Sequence, residues 1–154
     1  MYKNLFQLSM VMVIITACVS TKQLKNKMIT QGISGYVNET KGNQMPMKDQ
    51  ELPKPKGIIT EVFVYEVTNT SQVERVGTST FYNEITTKLI TSVTSDSTGK
   101  FSVALPIGSY SLFVKIGEKF YANRFNQNND INVYTVEEDK VTESTINVNY
   151  AAFY

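Results

Sequence analysis

From Gln31 onward, apolar side chains recur at every second position in short runs. Tyr110, Leu112, Val114 and Ile116 fall on one side of residues 109–116, and Phe101, Val103 and Leu105 on one side of residues 100–105. Thr60, Val62 and Val64 alternate within residues 58–67, as do Ile146, Val148 and Tyr150 near the end. Successive side chains of an extended chain point to opposite faces, so a period of two describes strands with one face in a core. The β-branched and aromatic residues that dominate these runs suit a pleated surface. No run after residue 30 carries the apolar stripe of a long helix. A chain so patterned must pack sheet against sheet, as an all-β sandwich or barrel.

Turn chemistry separates the runs. Asp96-Ser97-Thr98-Gly99 joins residues 88–95 to 100–105. An aspartate opens such a turn by accepting nearby backbone N–H groups, and a glycine takes the positive φ needed for the return. Pro106-Ile107-Gly108 makes the next reversal, and Gly117-Glu118 the one after it. This spacing predicts Phe101 and Tyr110 on adjacent antiparallel strands flanking the Pro106–Gly108 corner, with the Tyr110 hydroxyl bonded to a loop backbone. Residues 126–130 lead into a strand at 131–136, and residues 137–140 into the last strand, 141–150. Two longer connections interrupt the rhythm: 39–57 reads as a loop through Pro46, Pro53 and Pro55, while in 69–87 Phe81 and Tyr82 could pack a short strand or helical turn.

The N-terminal residues obey a different rule. Lys3 precedes an uncharged, mostly apolar run at residues 5–17. At about 13 residues the run is too short to span a bilayer comfortably, which takes about 20, and fits the apolar region of a secretory signal peptide. It ends in Ile15-Thr16-Ala17-Cys18. That tetrapeptide resembles the lipobox of bacterial lipoproteins, an aliphatic residue and two small ones before a cysteine that takes up lipid. Residues 1–17 then form the signal peptide, residues 18–30 the lipidated N-terminus and a polar linker, and residues 31–154 the domain. The resemblance implies attachment to a membrane through lipid on Cys18. Val19, where an aspartate can signal inner-membrane retention, points to the outer membrane of a Gram-negative cell.

Composition narrows the chemistry. There is no histidine, so sites that require imidazole are excluded. One cysteine allows no internal disulfide. A net charge of +1 gives no basic excess for nucleic acid.

Residues 94–110 carry a second resemblance. Thr94-Ser95-Asp96 turning to Gly99, Phe101 two residues later, then Pro106-Ile107-Gly108-Ser109-Tyr110 is similar to the signature of the carboxypeptidase regulatory-like domain. Gly32-Ile33-Ser34-Gly35-Tyr36-Val37 and residues 59–64 resemble its first two strands. The resemblance implies an antiparallel Greek-key β-sandwich, transthyretin-like, of about seven strands. Asp96, Gly99, Pro106, Gly108 and Tyr110 are then structural turn residues, with no catalytic residue and no cofactor. Thr60 and the two long connections depart from the pattern.

Other candidates are polar or aromatic. Asn126, Asn128, Asn129 and Asp130 could offer oxygen ligands but read as a polar turn, as calcium usually takes several carboxylates. Glu137, Glu138 and Asp139 read as a solvated turn. Tyr121, Phe125, Tyr134, Phe153 and Tyr154 could form a stacking surface, with residues 151–154 the least constrained. The expectation is a non-enzymatic, membrane-anchored envelope lipoprotein whose sandwich is a structural or protein-interaction module. The alternative is a carbohydrate-binding module, and an enzyme with a histidine-free site comes third.

Overall fold

The computed structural model describes residues 29–46, 48 and 51–154. The expected signal peptide, Cys18 and the expected linker up to residue 28 lie outside the described residues. The strands are β1 (Gly32–Asn43), β2 (Lys56–Gly57), β3 (Glu61–Glu66), β4 (Val73–Arg75), β5 (Phe81–Ile85), β6 (Leu89–Thr94), β7 (Lys100–Ala104), β8 (Gly108–Ile116), β9 (Lys119–Tyr121), β10 (Val133–Val136) and β11 (Val141–Phe153). A 3-10 turn at Thr70–Gln72 precedes β4. No helix among the described residues is long and apolar enough to cross a membrane.

The all-β expectation holds, in two sheets. In the four-stranded sheet, β1 has β11 on one flank and both β7 and β2 on the other. The seven-stranded sheet runs β4-β5-β9-β8-β3-β6, with β10 beside β8. All pairs are antiparallel except β1 with β11, which run parallel from Gly32 opposite Val141 to Asn43 opposite Phe153. The sheets face each other across Ile33, Val37, Phe101, Ile146 and Val148 from one and Val62, Val64, Leu112, Val114 and Val136 from the other. The alternating residues of the sequence, Thr60 and Tyr150 excepted, belong to this core or pack against it.

Eleven strands form among the described residues because the long connections contribute their own. Residues 39–43 continue β1, and Lys56–Gly57 pairs back onto Glu39 and Asn38, so the loop expected at 39–57 begins only after Asn43. Residues 69–87 hold the 3-10 turn, β4 and β5. Phe81 packs against the main core and Tyr82 is fully buried on the opposite side. The tail is not the least constrained part: Ala151, Ala152 and Phe153 pair with Lys41, Gly42 and Asn43 beyond a bulge.

The turns are placed as expected, but their topology is not. β6 and β8 belong to the larger sheet and β7 to the smaller, so both reversals are arches between sheets. Phe101 and Tyr110 therefore lie on facing sheets, not on adjacent strands. A hairpin would have kept Phe101 and Leu112 on one sheet, whereas the arches bring them together across the core.

β8 is buried on both faces, with Tyr110, Ser111, Leu112, Phe113 and Val114 all inside. Its outer face carries a second cluster of Tyr65, Tyr82, Phe113, Ala122 and Ile131. Phe113 meets Tyr65 and Tyr82 edge to face, each at 5.7 Å between centroids. The chain at 122–132 lies over this cluster and is bonded down: Ile131 N donates to Thr68 O at 2.8 Å, and Asn132 Nδ2 to Leu112 O at 2.7 Å.

Candidate functional site

The two ends of the sandwich differ. At one end the chain enters β1, pinned by Gln31, whose Nε2 donates to Leu105 O at 2.9 Å and whose Oε1 accepts Asp139 N–H at 3.1 Å. β7 finishes and β8 begins at this end, joined through Pro106. Tyr110 Oη donates to Pro106 O at 3.0 Å, so the loop partner of this hydroxyl is the corner itself.

At the opposite end β8 turns into β9 and β11 runs past the core. Gly117, at φ 59°, makes the tight Gly117-Glu118 turn. Glu118 of that turn and Lys119 just after it line an open cavity of about 440 Å³ together with Phe81, Ile116 and Tyr150. The Tyr150 ring lies 5.1 Å from Phe81 and 6.3 Å from Tyr121, in edge and tilted contacts. Tyr150 remains 48% exposed, with Phe153 at 68% and Tyr154 at 71% further along the strand. These rings form an aromatic tip.

Amides brace the tip from beside. Tyr121 Oη donates to Asn149 Oδ1 at 2.8 Å and accepts Asn149 N–H at 3.2 Å. Asn123 Nδ2 donates to Asn149 Oδ1 at 2.9 Å and to Asn147 O at 3.0 Å, and Asn149 Nδ2 reaches Tyr154 Oη at 3.3 Å. These side chains cover the free flank of β11, an edge that would otherwise offer unpaired backbone groups. Burial raises the Tyr121 phenol above its ordinary range, as it does those of Tyr65 and Tyr82. Tyr121 is thus a protonated donor at neutral pH.

The other candidates separate. Tyr121 and Tyr134 are buried, which removes them from any stacking surface; Phe125, Phe153 and Tyr154 are exposed. In the 126–130 loop the Asn126 and Asp130 side-chain oxygens are engaged: Asn126 Oδ1 accepts the Asn128 and Asp130 N–H groups at 2.9 Å each, while Asn126 and Asn69 donate to the Asp130 carboxylate. Those amide donors hold the Asp130 carboxyl below its usual range. Glu137 pairs with Lys140, and Glu138 and Asp139 lie exposed beside them. Among the described residues, no group of three His, Cys, Asp or Glu could hold a metal ion.

Asp96 and Gly99 occupy the arch from β6 to β7. Asp96 Oδ1 accepts Thr98 N–H at 2.8 Å, Thr98 Oγ1–H at 2.6 Å and Lys100 N–H at 3.0 Å. Gly99 sits at φ 80°. Phe81 and Tyr150 were not legible as site residues, because both continue core-facing patterns and become a surface only where β11 outruns the sandwich. No family model matches the chain, and no curated protein matches it.

Proposed function

We propose that the chain is a non-enzymatic, lipid-anchored envelope module that presents its aromatic tip to a protein partner. One observation carries this reading: the chain enters the sandwich at the end opposite the exposed Tyr150, Phe153 and Tyr154. A lipid on Cys18 leaves a tether to Gln31 of at most about 45 Å. β11 rises about 40 Å from Val141 to Phe153. Only a tether drawn out to nearly its full length could fold the tip back onto the bilayer, so a relaxed tether presents the tip away from the membrane. Aromatic side chains are enriched in protein interfaces, since they bury large areas for few rotatable bonds. The Ile15–Cys18 tetrapeptide supports the anchor and Val19 the outer membrane of a Gram-negative cell. The motif at 94–110 supports kinship with the transthyretin-like, Greek-key sandwiches of carboxypeptidase regulatory-like domains.

A photocrosslinking amino acid placed at Phe153, and separately at Ile107 near the tether, tests this in intact cells. The expected result is a discrete protein adduct from position 153, absent from position 107 and lost in Tyr150→Ala. Equal adducts from both positions, or none from 153, overturn the proposal.

A further inference from the structure

The outer face of the four-stranded sheet carries a second concavity, remote from the tip. Strand register lays it out in rows. Tyr36 on β1 lies between Lys100 of β7 and Thr145 of β11, Ser34 between Ser102 and Glu143, and Gly32 between Ala104 and Val141. Together Ser34, Tyr36, Lys100, Val141, Glu143 and Thr145 line a basin of about 300 Å³. Gly35 lets β1 and β11 close up beneath it, as a Cβ there would stand 2.0 Å from Ser144 O.

The basin holds one ammonium and one carboxylate, separated by β1. Two strand spacings and a two-residue offset along the strands put their Cα atoms about 12 Å apart. The ion pairs of the described residues are Lys41–Glu39 and Lys140–Glu137, so neither Lys100 nor Glu143 is spent in one. The Ser34 hydroxyl donates to Phe101 O at 3.2 Å, leaving its lone pairs to accept. Tyr36, 45% exposed, supplies a ring.

We propose that this basin binds a short neutral glycan of one or two sugar rings. A sugar ring has an apolar C–H face for Tyr36 and a rim of hydroxyls, each both donor and acceptor, for Lys100, Glu143, Ser34 and Thr145. An anion would meet the Glu143 carboxylate and a cation the Lys100 ammonium. An extended peptide cannot add as a strand here, because β1 is bonded on both flanks. The volume lies at the small end of ligand sites, which start at about 300 Å³. The site shares no residue with the aromatic tip and stands or falls separately from it.

The test uses the full chain in a detergent without a sugar headgroup, titrated calorimetrically with maltose, cellobiose and chitobiose, and with glycylglycine as the zwitterionic control. Saturable binding of at least one disaccharide is expected, weakened at least tenfold in both Tyr36→Ala and Glu143→Gln. Thermal melting of both variants checks that the fold is kept. Glu143→Gln changes only an exposed side chain and serves if Tyr36→Ala fails to fold. No saturable disaccharide binding, binding unchanged in the folded variants, or binding of glycylglycine in place of the sugars overturns the proposal.

Discussion

Gly99 accepts the Val37 N–H at 2.8 Å through its carbonyl oxygen, and a Cβ built on it would stand 2.2 Å from the Val37 carbonyl oxygen. The arch from β6 to β7 thus presses directly on the middle of β1. Gly57 closes the same contact from another side, 2.9 Å from that Cβ position. Positive φ and close approach both demand glycine here. Gly99→Val is expected to destabilise the domain by at least about 2 kcal/mol, since a strained left-handed residue alone costs about 1–3 kcal/mol. Urea denaturation of a soluble form beginning after Cys18 measures it. A change under about 0.5 kcal/mol, the range of harmless surface substitutions, would sink the argument.

Tyr110→Phe isolates the corner at Pro106. It removes one hydrogen bond, 3.0 Å long, and leaves the ring in the core. The expected loss is about 1 kcal/mol, the net worth of an ordinary hydrogen bond. The same denaturation experiment reads it, and an unchanged midpoint would show that the hydroxyl does not hold the corner.

Tyr121→Phe acts on the edge of β11. The buried hydroxyl both donates to and accepts from Asn149, and its loss leaves the Asn149 N–H without that partner. A loss of about 1–3 kcal/mol is expected, the cost of an unsatisfied buried donor. Uncovering the edge should also promote association between chains. Sedimentation at increasing concentration follows this, and a variant as monodisperse as the parent refutes the edge-covering role.

Acid should weaken the fold through Asp96 and Asp130. Bonds from Thr98 hold the Asp96 carboxyl below its ordinary 3.8, and amides from Asn126 and Asn69 do the same for Asp130. A depressed folded pKa contributes stability that is present above the unfolded value and lost as pH falls through the folded one. Melting temperature is therefore expected to fall below about pH 4, and to fall less steeply in Asp96→Asn. Parallel curves for parent and variant between pH 5 and 2 would contradict this.

Cys18→Ala tests the anchor. Metabolic labelling with palmitate should mark the parent chain in the membrane fraction, with the variant unlabelled and retained as a longer precursor. Equal labelling of the two chains would refute lipid attachment at Cys18.

Much of the sandwich was legible in the sequence because burial of one strand face imposes a period of two on any register. The core residues Val62, Val64, Phe101, Leu112, Ile146 and Val148 announced themselves in that way. Asp96, Gly99 and Pro106 did too, since turn chemistry is local: Asp96 finds its N–H donors within four residues. The sheet to which each strand belongs is not local. Turn residues alone do not distinguish a hairpin from an arch, and the arches around β7 follow from β1, which pairs with β7 across more than sixty residues and with β11 across more than a hundred. Nor could alternation show that Phe113 and Tyr65 would be covered by the chain at 122–132, or that Tyr150 would leave the core with its pattern intact. Both depend on where one strand outruns its neighbours, which is set by packing between segments distant in the chain and by no residue taken with its neighbours alone.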